Sequence, residues 1–272
     1  MKDARHEIAP PLVEELHRRA LEYADVARAL INDARRDGFK VERKRDHSLV
    51  TDADLAVEQA LRARITAHYP DHGIIGEEFP ALHPQAAFQW ILDPIDGTED
   101  FVHGVATFGS ILALHYRGTP LVGVVDHPAL GLRCHAAFGR GTYHGDQRVR
   151  AMDLAADVPN ERLRVVLSAR AGFVRYRDDG ASFDALTRAF PNHRIYRSCF
   201  GHSVVAMGAV DAMVDYHDTL WDLAAAQILT EEAGGTYRPV GEFANPDGTR
   251  IYSAVLGRPA AVARICAVLA SV

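Results

Sequence analysis

The chain has little cysteine: three residues in 272, Cys134, Cys199 and Cys266, odd in number, far apart and with no CxxC pair. That pattern fits neither a disulfide framework nor a thiolate metal site, so the thiols are expected to be small buried hydrophobes. Long apolar runs are missing too. No stretch approaches the roughly 18 to 20 residues that span a bilayer, and the first 17 residues are charged rather than signal-like, which predicts a cytoplasmic protein with no membrane partner. Lys and Arg form no stripe beyond Arg35-Arg36 and Arg43-Lys44-Arg45, and the formal net charge is -6, so nothing points to nucleic acid as a partner. The 14 histidines are scattered and are expected at the surface or in the core. With 48% hydrophobic and 24% charged residues and no low-complexity tract, disordered and fibrous classes are excluded.

What is present is periodicity. Residues 10 to 37 carry Leu12, Leu16, Ala20, Ala27, Leu30 and Ile31 at helical spacing, and Gly38 stands where a helix would stop. A second helical pattern, with Val57, Leu61 and Ile65 on one face, runs from about 52 to 69 between a Thr51 cap and Pro70. Apolar runs at 73–75 and 88–92 read as strands, the second leading into a turn at Asp93-Pro94-Ile95-Asp96-Gly97-Thr98. The stretch 108–144, broken near 117–120, 128–131 and 139–141, predicts an antiparallel meander. A polar connection at 145–161 follows. Strands at 163–168, 211–215 and 251–256 then interleave with helices at about 181–189, 200–208, 219–233 and 259–269. The expectation is an α/β protein of two sheets covered by helices. It divides into an N-terminal half, 1–150, carrying most of the site and a C-terminal half, 151–272, packed as one unit.

The chemistry lies in acids at element boundaries: Thr51-Asp52-Ala53-Asp54, Gly76-Glu77-Glu78, Asp93 through Thr98, and Trp221-Asp222. Several carboxylates brought together repel one another, and hard divalent cations that take oxygen ligands relieve that repulsion. Asp93 and Asp96, three apart across a proline, can converge while the Ile95 carbonyl is left as a further ligand, a geometry suited to two neighbouring ions. Gly97 lets the backbone approach a ligand, and its N–H with that of Thr98 would open a helix at 98–102 whose positive end attracts phosphate. A plainer reading stands beside this one. Thr51 to Asp54, Asp96 to Glu99 and Thr219 to Asp222 each match a helix cap followed three residues later by an acid, which needs no function. Capping leaves Pro94 between two aspartates, and Glu77 beside a glycine at a strand end, unexplained. The 12-residue spacing of an EF-hand is absent.

At these residues the chain resembles the inositol monophosphatase superfamily, whose marks are Asp-Pro-x-Asp-Gly-Thr, an upstream Gly-Glu-Glu and a distal Trp-Asp-x-Ala-Ala. Here these are Asp93 to Thr98, Gly76 to Glu78, and Trp221-Asp222-Leu223-Ala224-Ala225 followed by Glu232-Ala233-Gly234-Gly235. The resemblance runs from about 10 to 270. It implies a layered αβαβα fold, frequently a homodimer, lithium sensitivity, and a phosphatase using two to three Mg²⁺ ions, with Mn²⁺ as a substitute. By position, one ion would use Glu77, Asp93 and the Ile95 carbonyl, a second Asp93, Asp96 and Asp222, and a weaker third Glu77 and water. Thr98 would orient the attacking water, with Asp54 as proton acceptor, and the Gly97 and Thr98 N–H groups would hold the phosphate.

The segments Ser48 to Glu58, Glu77-Glu78-Phe79 and Phe108 to Leu114 look most like the histidinol-phosphate phosphatase branch. Asp100 stands where relatives commonly have Asn, and Asp215, seven before Asp222, where they often have Glu that contacts substrate. Acid there suits a cationic amino alcohol. Arg197-Ser198, however, occupies the place where that branch tends to show Gly-Asp. Inositol 1-phosphate or another sugar phosphate is the alternative substrate, and a catalytically silent metal-binding interaction protein is the alternative of another class.

Overall fold

The computed structural model describes residues 3–44, 47–149, 158–245 and 248–272. Pro10 and Pro11 open helix α1 (Pro10–Asp37), since neither needs a helical N–H partner there, and Gly38 ends it at φ +95. Its buried stripe is Val13, Leu16, Ala20, Tyr23, Ala24, Ala27 and Ile31. Leu12, expected on that stripe, is exposed and Leu30 only half-buried, because Val13 and Tyr23 fill the positions that face the sheet. A hairpin of β1 (Val41–Arg43) and β2 (Leu49–Thr51), absent from the sequence reading, leads into α2 (Asp52–His68). The expected Thr51 cap is real and reciprocal: Thr51 and Asp54 form a capping box.

Strands β3 (Gly73–Gly76) and β4 (Phe88–Asp96) pair in parallel. Helix α3 (Thr98–His103) then turns the chain into the antiparallel run β5 (Gly109–Tyr116), β6 (Thr119–His127), β7 (Leu132–Ala137), β8 (Gly141–His144) and β9 (Gln147–Arg148). The expected meander is thus present within one seven-stranded sheet. One correction concerns the acidic segment. The strand does not stop for a turn at Asp93 but continues to Asp96, with a register shift against β5 between Asp93 and Asp96, where Pro94 offers no N–H to the ladder.

The second sheet has the order β11-β10-β12-β14-β13, built from β10 (Val165–Leu167), β11 (His193–Ile195), β12 (Ala212–Asp218), β13 (Thr236–Ala244) and β14 (Arg250–Gly257). Its helices are α4 (Arg170–Phe173), α5 (Ala181–Ala189), α6 (Cys199–Ala206), α7 (Leu220–Leu223), α8 (Ala226–Glu232) and α9 (Pro259–Ala270). The single helix expected over 219–233 is two. His115 on β5 takes the Ala224 carbonyl at 2.9 Å, removing it from a continuous helical ladder. Just beyond, α8 lies so close to β6 that a Cβ on Gly123 would stand 2.6 Å from Ile228.

The layers follow from the cores. Helices α1 and α2 pack on one face of the seven-stranded sheet, and α6 and α8 lie between the two sheets. Helices α5 and α9 cover the far face of the five-stranded sheet. The order is αβαβα, as expected. Both faces of β5 and β6 are covered, which is why those strands read as continuous apolar runs. The junction expected between 150 and 151 lies outside the described residues, as does Arg45 of the basic triple. Among the described residues no helix is long and apolar enough to cross a membrane.

Candidate metal centre

Two elements bring three acids to one place. Strand β4 carries Asp93 and Asp96, and α7, entered from the end of β12, carries Asp222. One carboxylate oxygen from each lies within 4.8 Å of the other two. Local bonds fix Asp96 and Asp222 through one oxygen each and leave the other. Asp222 Oδ2 accepts from the Thr219 N–H at 2.6 Å and its hydroxyl at 3.0 Å, closing the capping box of α7. Asp96 Oδ2 accepts from the Cys199 N–H at the start of α6. Asp93 is 2% exposed, and its Oδ1 is buried with no hydrogen-bond partner. An orphaned buried carboxylate oxygen is costly unless a cation completes it.

The electrostatics agree with the geometry. Burial, then the charges of Glu77, Asp96 and Asp222, push the Asp93 carboxyl well above the ordinary carboxylate range. Burial also raises Asp96, against the Cys199 hydrogen bond, and burial with the charge of Asp96 raises Asp222 to about 7. Such a group holds protons or a divalent ion, and its hard oxygen donors fit the latter.

Glu77 stands near this trio but outside it: its Oε1 accepts from Lys44 Nζ at 2.8 Å, and the same ammonium reaches Glu78 Oε1 at 2.7 Å. Asp54, fully buried, accepts through Oδ2 from the Thr51 N–H and hydroxyl at 2.7 and 2.5 Å. Its Oδ1 faces the Thr98 hydroxyl at 3.4 Å. That hydroxyl also lies 3.1 Å from the Ile95 carbonyl, so Asp54, Ile95 and Thr98 meet. Gly97 has φ +81 and a Cβ there would stand 3.3 Å from Ser198 Oγ, two reasons for glycine at that point. Gly97, not Asp96, is the N-cap of α3, which corrects the capping reading of Asp96.

Asp100 and Asp215 are not free acids. Asp100 Oδ2 accepts from the Thr107 hydroxyl at 2.6 Å, and Asp215 Oδ2 pairs with His202 Nε2 at 2.9 Å. Burial opposes protonation of His202, but the Asp215 carboxylate together with the charges of Asp96 and Asp222 outweighs it and raises the imidazole pKa. Beyond them Asp218 has a buried Oδ2 without a partner, and burial with the charges of Asp215 and Asp222 holds its carboxyl well above the usual range.

Sequence reasoning missed His202, Asp218 and Lys44. No spacing marks His202, thirteen residues before Asp215, and Lys44 hides in a run that reads as surface charge. His68 and His72 do stand four apart, but their rings serve Tyr23 (2.8 Å) and Trp90 (3.2 Å) separately.

Comparison with known proteins agrees in kind. The model of the inositol monophosphatase family matches residues 12–266. A histidinol-phosphatase of Mycobacterium tuberculosis is 38% identical over 217 residues, covering 77% of this chain and 81% of that protein. A histidinol-phosphatase of Chlorobaculum parvum is 36% identical, covering 79% and 82%. The fold matches the solved inositol monophosphatase of Anabaena (Nostoc) sp. PCC 7120 with a TM-score of 0.79 at 24% identity, over 95% of this chain and 96% of that one.

Proposed function

Because the chain belongs to the inositol monophosphatase family, we propose that it is a Mg²⁺-dependent phosphatase that hydrolyses histidinol phosphate by direct attack of water. The observation that carries the metal chemistry is the orphaned Oδ1 of Asp93 beside Asp96 and Asp222. Support for the substrate comes from the 38% and 36% identical histidinol-phosphatases.

In this reading Glu77, Asp93 and the Ile95 carbonyl would hold one ion, and Asp93, Asp96 and Asp222 a second. The first group comes from the half up to residue 150, and Asp222 from the other. Bound divalent ions supply neutralisation of the acids, polarisation of the phosphoryl group and acidification of water. The chain's own residues do the rest. Thr98 Oγ1, poised between Asp54 and the Ile95 carbonyl, orients the attacking water. Asp54 accepts its proton; burial, against the Thr51 hydrogen bonds, brings that carboxyl up to about 6, close to the working range of a general base. The N–H groups of Gly97 and Thr98 hold the phosphate. The reading includes a homodimer in the cytoplasm.

A second reading, with inositol 1-phosphate or another sugar phosphate as substrate, is favoured by one observation. The Asp215–His202 pair engages the acid that would have met a cationic leaving group. Phosphate release with and without Mg²⁺ over histidinol phosphate, inositol 1-phosphate, glycerol phosphates, fructose bisphosphate and a 3′-phosphoadenosine nucleotide decides between them. Histidinol phosphate hydrolysed best supports the proposal, and preference for a polyol replaces it. No release from any ester by the folded protein at any Mg²⁺ concentration leaves the silent interaction protein.

A further inference from the structure

We propose that Glu58 is a positioning residue for the Gly76-Glu77-Glu78 turn and thereby sets how tightly the acidic centre holds its cation. The proposal rests on the reading of Glu77 as a metal ligand. Glu58 lies on α2 four residues after Asp54, so the two project from one helical face a turn apart, and both are fully buried.

A buried carboxylate must find partners close by. Those of Glu58 come from the turn and from its own helix. Oε2 accepts from the Glu78 N–H at 2.8 Å, while Oε1 accepts from the Phe79 N–H at 3.3 Å and from Arg62 Nε at 2.7 Å. Arg62 in turn donates from Nη2 to the Phe79 carbonyl at 2.9 Å. One partly buried ion pair therefore grips the backbone after Glu77 by its N–H groups and its carbonyl together. Gly76 closes the contact from the other side: a Cβ there would stand 2.0 Å from Glu58 Oε1, so the carboxylate fills the space any side chain at 76 would need.

Glu77 is thus held between two fixed points. Its own N–H donates to the Leu92 carbonyl at 3.2 Å, one residue before Asp93. The next two N–H groups are anchored to the helix that carries Asp54. The turn, the proposed base and the first metal-binding strand are put in register through one side chain, and Glu58 acts on a cation only through Glu77. Outer partners that orient ligands typically cost about 10- to 100-fold in metal affinity when removed.

The test is a calorimetric titration of the metal-stripped full chain with Mn²⁺, alongside its melting temperature. Glu58→Gln keeps the shape and one acceptor oxygen but turns an amide N–H₂ toward groups that are all donors. The expected result is a Mn²⁺ dissociation constant raised about tenfold or more, with substrate KM at saturating Mn²⁺ unchanged. A constant within about twofold of native overturns the proposal whatever the melting temperature does, because a purely structural role would move only the latter. Should Glu58→Gln fail to fold, Arg62→Met releases the same turn from its carbonyl side and carries the same expectation and the same overturning result. Glu77→Gln in parallel separates two failures. Native affinity there overturns the metal reading of Glu77. Weakened affinity there with native affinity in Glu58→Gln overturns the positioning role alone.

Discussion

Lys44 Nζ lies 2.8 Å from Glu77 Oε1, so an ammonium from the β1–β2 hairpin already neutralises an acid that the metal reading assigns to a cation. Burial opposes the charge of Lys44, but Glu77 and Glu78 together raise its pKa, so it stays protonated. An ion that uses Glu77 has to compete with that ammonium for the carboxylate, by displacement from Oε1 or by charge repulsion. Lys44→Met is therefore expected to tighten Mn²⁺ binding by roughly two- to fivefold, the worth of a partly exposed ion pair, in a calorimetric titration. Weaker binding in that variant would mean that the lysine assists the ion instead of competing with it.

Asp54 sets a second expectation. As a base it must be ionised, and burial places its carboxyl at about 6. Turnover should rise through that pH and level off above it. Asp54→Asn is expected to lose about 10²- to 10⁴-fold in kcat and to flatten the acid limb of the profile. Steady-state rates between pH 5 and 8 check both, and an unaltered acid limb in the variant would assign the titration to another group.

The same shifts predict how the metal-free protein responds to pH. Asp54 at about 6 and Asp222 at about 7 bind protons more tightly when folded than at their ordinary value of roughly 4. Their contribution to stability is complete below that ordinary value and is lost as pH rises through 6 and 7. The melting temperature without metal should fall between pH 5 and 8. Mg²⁺, which selects the ionised form, should raise it more at pH 8 than at pH 5. A metal-induced rise that is equal at both ends would remove this account of the acids.

Asp93 has the strictest requirement, because the reading has it shared by two ions. Asp93→Asn keeps the volume and removes the charge, and kcat/KM is expected to fall by about three orders of magnitude or more in a phosphate-release assay. Near-native turnover would show that the shared ligand lies elsewhere.

How legible the molecule is from its sequence depends on what holds each piece. Helices α1 and α2 announce themselves because one face of each is apolar at helical spacing, and Gly38 and Thr51 mark their ends. The meander is legible because its turns fall at glycines. β13 is not: Pro239 and Gly241 argue against a strand, yet as an edge strand it tolerates both across a register shift. The break between α7 and α8 depends on His115, more than a hundred residues away, which no local pattern can reveal. In the site, the convergence of Asp93, Asp96 and Asp222 was readable as an expectation because the acids sit at element ends. Two of the competing cap readings also hold, since Thr51 and Thr219 do cap through Asp54 and Asp222. What the sequence hides is who else arrives. His202 meets Asp215 only because α6 and β12 pack together, and Lys44 meets Glu77 only because the hairpin folds over the turn.

The most direct test is a crystal of the full chain soaked in Mn²⁺, with diffraction data collected at the manganese absorption edge. An anomalous peak within roughly 2.0–2.6 Å of carboxylate oxygens from Asp93, Asp96 and Asp222 is the predicted result. The same three side chains converged with no anomalous density among them, at a Mn²⁺ concentration that supports turnover, would contradict it.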